Sequence, residues 1–363
     1  MTVNASSSAV HVDSAASEAA HMANRAGLIY VSDTIAGYRR QRSGKRFRYF
    51  LPDNRQLKAP AELKRIFRLA IPPAYENVWI CTDPRGHLQA TGRDARGRKQ
   101  YRYHPDWRSV RDDAKFDRMT TFAEALPRLR RKLARDLALG GLPRQKVLAA
   151  VTSILDATRV RVGNIEYARD NKSFGLTTLL NRHVSFIPDG RAILNFRGKG
   201  GVQHEVLIDD KRIAKIMRHC QELPGQQLFQ YVTDEGQRTP IDSGQVNDYL
   251  RDAMGDDFTA KDFRTWGATQ LAIILLARTP HPENASDRSF KSEIANVVKQ
   301  VAAELRNTPA VCRKSYINPV VFDAWRSGMI QKAFNGGLKL AAPRQTESRV
   351  LAFLSRHANN AIV

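Results

Sequence analysis

The chain has 363 residues, of which 58 are Lys or Arg and 36 are Asp or Glu, leaving a formal net charge of +22 at neutral pH. That surplus draws it to polyanions and makes nucleic acid the default partner, although a ribosomal, chromatin or membrane-surface protein would share the composition. A hydrophobic content of 42% excludes a wholly unfolded chain. The aliphatic run from Leu271 to Ala277 is far short of the roughly 20 residues that span a bilayer, so no membrane segment is expected.

Residues 1–26 are rich in Ser and Ala, carry Asp13 and Glu18 and lack a basic, leucine-rich leader, so they read as a disordered tail and not as a secretory signal. Residues 27–107 read as a small β-rich domain. The segments RFRYF (46–50), NVWICT (77–82), HLQATG (87–92) and KQYRYH (99–104) alternate and are separated by Pro, Gly or Asp, and one helix is expected over 61–70. Past His104-Pro105 the pattern turns helical, over 114–139 and then continuously over 146–170, and a larger, mainly helical domain is expected over 108–363.

Within it, residues 183–208 predict a three-stranded meander whose turns are Asp189-Gly190 and Lys199-Gly200-Gly201. Helices resume at 211–220 and 246–254. Over 290–305, Ile294, Val297, Val298, Val301 and Leu305 share one face. Thr308-Pro309 supplies an N-cap and a proline at the first helical position, predicting a short helix that carries Tyr316 and stops at Asn318-Pro319. The fold class is therefore α+β. Cys81, Cys220 and Cys312 are odd in number and far apart, which predicts free thiols and no zinc or redox pair.

Five residues spread over half the chain suit the chemistry of a phosphodiester. Attack on phosphorus builds charge on two equatorial oxygens, which fixed cations and hydrogen-bond donors must meet. Arg161, in RVGNIEY, and Arg264, in KDFRTWG, are candidates for that clamp, because a guanidinium stays charged and grips two oxygens. Lys199, on the FRGKGG hairpin, is a candidate for protonating the departing 5′-oxygen. Tyr316, closing NTPAVCRKSY, is the candidate nucleophile, and Asn307 at the start of that motif is placed to donate to a non-bridging oxygen. Each of these residues alone has an ordinary reading: a surface arginine, a lysine decorating a turn, a tyrosine on the rim of a core. No G-x-x-x-x-G-K-[ST] run and no carboxylate cluster suggests ATP or paired magnesium, so neither a cofactor nor a metal is expected.

The combination resembles the poxvirus-like and bacterial branch of the type IB DNA topoisomerases. The similarity runs from about residue 27 to 357 and includes YARDNKSFGLTTLLNRHV (167–184) and TGRDARGRKQYRYH (91–104). The resemblance implies a tyrosine recombinase/topoisomerase IB-like catalytic fold, with Arg161, Lys199, Arg264 and Tyr316 falling on the family's catalytic Arg, Lys, Arg and Tyr. Poxviral and eukaryotic members have histidine at Asn307. Asparagine does not titrate, so its role here reduces to hydrogen bonding. By the same resemblance Arg98, Gln100, Tyr101 and Tyr103 match a DNA-contacting segment, and Lys261 adds a backbone contact.

The implied activity is ATP- and metal-independent relaxation of positive and negative supercoils through a 3′-phosphotyrosyl intermediate. The expected working form is a monomer clamped around duplex DNA in the cytoplasm, associated with the nucleoid. The main alternative is a tyrosine recombinase or integrase, which shares the Arg, Lys, Arg and Tyr set. It usually carries His-x-x-Arg where this chain has Lys261-Asp262-Phe263-Arg264, and its N-terminal domain is typically helical. A non-catalytic basic DNA-binding protein is the other alternative, and it would not need Tyr316.

Overall fold

A computed structural model describes residues 19–44, 46–95, 97, 99–255, 258–281, 286–334 and 343–358. The chain divides into two compact units, Met1–Lys115 and Phe116–Val363. The division falls inside the helix Pro105–Leu137 and not at the composition change near residue 107.

In the first unit the described strands form one antiparallel sheet in the order β2-β1-β3-β4-β5. They are β1 (Tyr38–Ser43), β2 (Arg46–Phe50), β3 (Glu76–Ile80), β4 (Leu88–Arg93) and β5 (Lys99–Tyr103). The helix Pro60–Arg68 packs on it through Ile66 against Tyr38, Val78, Ile80 and Ala90. Strand β1, YRRQRS, has no apolar alternation, and sequence reasoning missed it. Its inward Arg40 is satisfied in an unusual way: the guanidinium donates to the carbonyls of Ile71, Pro72 and Tyr75 at 3.1, 3.0 and 2.6 Å and lies over the Phe47 ring. The expected tail lies outside the described residues through residue 18. Residues 19–25 are helical, with Ala23 buried beside Leu28 and Trp107, so the tail reading does not extend to them.

The second unit is built around two helices that are apolar nearly all round. Arg144–Thr158 buries every residue from Val147 to Thr152, and Ala260–Arg278 buries Phe263 through Gln270 without a break. The meander appears as expected: β6 (Val184–Phe186), β7 (Ala192–Arg197) and β8 (Gln203–Ile208), in order β6-β7-β8. A second hairpin, β9 (Gln230–Val232) with β10 (Arg238–Pro240), went unanticipated because its strands are too short to show a period.

Two further expectations are corrected. The helix anticipated over 146–170 stops at Thr158, where Arg159 takes up a left-handed conformation (φ 56°). It restarts as Ile165–Asn171, capped by Asn164, whose side chain accepts the Tyr167 amide at 3.1 Å. The helix expected to carry Tyr316 is Pro309–Ser315. Thr308 caps it by accepting the Val311 amide, as anticipated, but it ends one residue before the tyrosine.

The C-terminal helix Pro343–Ala358 is held by Glu347. This carboxylate accepts from Arg130 at 2.5 Å and from the Trp266 indole at 2.9 Å, while Arg130 also pairs with Asp156 at 2.8 Å. No helix among the described residues is long and apolar enough to cross a membrane.

Candidate active site

The break after Thr158 is what presents Arg161. Residues 161–163 run along residues 175–178: the Arg161 carbonyl accepts the Leu176 amide at 3.0 Å, and the Val162 carbonyl accepts both the amide and the hydroxyl of Thr177 at 2.7 and 3.0 Å. The approach requires two glycines. A Cβ on Gly175 would lie 2.5 Å from the Gly163 nitrogen, and Gly163 itself has φ 108°. The same segment reaches the meander, where the Phe174 amide donates to the Arg197 carbonyl at 2.8 Å. Arg161 and the Lys199 hairpin are therefore tied to one piece of backbone.

Arg264 lies in the first turns of the helix Ala260–Arg278 and is 3% exposed. Its guanidinium donates to the carbonyls of Arg159 and, at 2.9 Å, Leu305. It thereby joins the break before Arg161 to the segment before Asn307. Arg306 takes up a left-handed conformation, and Asn307 follows it with its side-chain oxygen accepting a hydrogen bond from Arg161.

Tyr316 terminates its short helix with φ −130° and ψ −28°. Its carbonyl accepts from the Thr269 hydroxyl at 3.1 Å, and its ring lies under the Arg264 guanidinium, 5.0 Å from Cζ to centroid. Burial raises the phenol pKa, but Arg264, and with it Arg161 and Lys199, outweighs burial and brings the pKa below its ordinary 10.0. Burial, then the charge of Arg264, holds Arg161 below the usual arginine range. Arg161, Lys199, Lys261, Arg264 and Tyr316 line one cleft of about 270 Å³, with Tyr167 and Phe174 among its apolar walls. Lys199 and Lys261 are exposed at it, and Asn307 joins it through Arg161.

Three donors in this group are buried with no acceptor in hydrogen-bonding geometry: Arg161 Nη1, Arg264 Nε and Asn307 Nδ2. Their desolvation is costly unless something anionic meets them, which suits oxyanion binding. Cys312, inside the tyrosine motif, is fully buried. Burial pushes its thiol up to about 11 against the pull of Arg264, so it is an inert packing residue.

The residues expected to contact DNA in the first unit form a separate group. Arg98 lies outside the described residues. Gln100 donates to Asp94 at 3.0 Å, and the Tyr101 and Tyr103 rings stack at 6.0 Å. Tyr103 leans on the Trp107 cluster, whereas Tyr101 is 47% exposed.

Sequence reasoning missed Thr269, Arg306 and His204. Thr269 is a hydroxyl in the run GATQLAIILL. His204 had a signal: it stands where the alternation Val202, Val206, Ile208 calls for an apolar residue.

Residues 104–329 match the family model of the eukaryotic DNA topoisomerase I catalytic core, and residues 46–94 match that of the bacterial DNA topoisomerase IB N-terminal domain. The chain is 36% identical over 288 residues to DNA topoisomerase 1B of Acanthamoeba polyphaga mimivirus, covering 78% of this chain and 85% of that protein. It is 23% identical over 260 residues to DNA topoisomerase 1B of Vaccinia virus (strain Copenhagen), covering 69% and 75%. The chain belongs to the type IB DNA topoisomerases. These matches lend nothing to the recombinase alternative.

Proposed function

We propose that the chain relaxes positive and negative supercoils in duplex DNA by cutting and resealing one strand, and that the second unit's cleft performs the chemistry. The observation that carries this reading is the set of three unpaired buried donors, on Arg161, Arg264 and Asn307, gathered around a tyrosine whose pKa is drawn down by the same cations. A phosphodiester entering the cleft supplies the acceptors those donors lack. The Tyr316 oxygen bonds to phosphorus, the bond to the 5′-oxygen breaks, and that oxygen takes a proton from Lys199 while the phenol's proton passes to solvent. The 3′ end stays on Tyr316, the free end swivels, and the reverse reaction reseals the strand.

Lys261 meets the DNA backbone at the cleft, Gln100, Tyr101, Tyr103 and Arg98 contact the duplex from the first unit, and one protomer suffices. A DNA-acting enzyme of this kind works at the nucleoid. The test is relaxation of plasmids of both signs in EDTA without ATP. Wild type relaxes both, and Tyr316→Phe relaxes neither. Relaxation by the phenylalanine variant sinks the assignment of the nucleophile.

A further inference from the structure

His204 is unusual among the buried residues of the second unit. Strand β8 alternates, with His204, Val206 and Ile208 facing inward, and the imidazole is 3% exposed. It stacks on Phe196, its partner in the β7-β8 register, at 4.8 Å and 16° between planes. Both ring nitrogens are buried without a hydrogen-bond partner. An apolar side chain would satisfy this position at lower cost, because each unpaired buried nitrogen carries a desolvation penalty.

The surroundings point to what the ring supports. Gly198 lies against its edge: a Cβ there would come 2.4 Å from Nε2 and 2.6 Å from Cδ2. Lys199 is the next residue, on the exposed tip, and the Gly198 amide is pinned to the Val202 carbonyl at 2.8 Å. On the other side, Arg306 donates to the Glu205 carbonyl at 2.5 Å and so ties β8 to the segment bearing Asn307. Burial, then Arg306, Arg161 and Arg264, hold the imidazole down to about 4, so at neutral pH it adds no positive charge beneath the cleft.

We propose that His204 is a positioning residue for Lys199: its ring edge sets the height and direction of the Gly198-Lys199 hairpin, and so the place from which the lysine delivers its proton. The inference rests on the reading of Lys199 as proton donor to the 5′-oxygen. A residue that acts by placing Lys199 bears chiefly on the part of the rate that depends on that proton, since Lys199 is the smallest of the three cationic contributions to the Tyr316 pKa. A substrate whose bridging 5′-oxygen is replaced by sulfur separates that part, because a thiolate leaves without being protonated.

The experiment measures single-turnover cleavage of matched 5′-oxygen and 5′-sulfur oligonucleotide duplexes by the full-length protein. His204→Ala is expected to slow the oxygen substrate about 10²-fold, the scale of a general-acid contribution, and to cleave the sulfur substrate within a few-fold of wild type. Gly198→Ala displaces the hairpin from the opposite side without removing a core ring, and is expected to give the same pattern even if His204→Ala folds poorly. Equal slowing on both substrates by Gly198→Ala, or no slowing on either, overturns the proposal. Lys199→Ala is the control for the underlying reading. If sulfur fails to rescue Lys199→Ala, the proton-donor role fails by itself, whatever the His204 variants do.

Discussion

The hydroxyl of Thr269 donates to the carbonyl of Tyr316 at 3.1 Å and accepts the amide of Asn318 at the same distance. Thr269 is fully buried and lies on the helix that carries Arg264. One side chain thereby registers the candidate nucleophile's backbone against the helix of the candidate oxyanion clamp, at the point where the short helix before Tyr316 has already ended. Val has the same shape and no hydroxyl. Thr269→Val leaves the Tyr316 carbonyl and the Asn318 amide unpaired, at a stability cost of about 1–3 kcal/mol. Misplacement of the phenol is expected to slow single-turnover cleavage by roughly 10–100-fold, whereas Thr269→Ser keeps both bonds and most of the rate. Equal rates for the valine variant and wild type would show that the tyrosine is placed by other contacts.

Because the Asn307 side-chain oxygen is engaged by Arg161, its amide nitrogen is the group left to donate. Asn307→Asp keeps the shape and the acceptor but replaces that donor with an anion next to the expected position of the phosphate. Cleavage is expected to fall by more than in Asn307→Ala, for which loss of one oxyanion donor predicts about 10²-fold. Covalent-complex formation on a suicide duplex measures both. Aspartate outperforming alanine would mean that the position acts by holding Arg161 and not by donating.

Tyr316 is expected to ionise below the ordinary 10.0 because Arg264, Arg161 and Lys199 together outweigh its burial. Since the favoured species is the phenolate, removing a cation must move the midpoint upward. Ultraviolet difference titration of wild type against Tyr316→Phe isolates this phenol from the other tyrosines. The midpoint should lie below 10 in that pair and shift up when both proteins also carry Arg161→Ala. A downward shift would contradict the electrostatic origin of the effect.

Glu347 accepts from both Arg130 and Trp266, which anchors the C-terminal helix to the helices Pro105–Leu137 and Ala260–Arg278. Glu347→Ala is expected to cost about 1–3 kcal/mol in thermal or urea unfolding, less than the roughly 3–5 kcal/mol for breaking a fully buried pair, because Arg130 keeps Asp156. The residual protein should retain its cleavage rate, since none of these groups lines the cleft with Tyr316.

Much of the fold and the residues of the site were legible in the sequence because their signals are local. Period-2 alternation marked four of the five described strands of the first unit and the meander. Apolar stripes and the Thr308-Pro309 cap marked the helices, and glycine-flanked motifs marked Arg161 and Lys199. Strand β1 escaped because Arg40 is buried on carbonyls that lie about thirty residues away in the chain, and no local pattern announces such partners. The break at Arg159 escaped because DATRVRVGNIEY has no proline and keeps a helical pattern. It is the pairing of residues 161–163 with 175–178 that outcompetes the helix. The same holds for the roles within the site. Residue chemistry together with the local motifs and the resemblance they carry nominated Arg161, Lys199, Arg264, Asn307 and Tyr316. Which nitrogens were left unpaired, that Arg161 spends one donor on Asn307, and that Thr269 and His204 support the nucleophile and the lysine hairpin were decided by tertiary packing, whose partners lie from 6 to nearly 150 residues apart and leave no periodic trace in the chain.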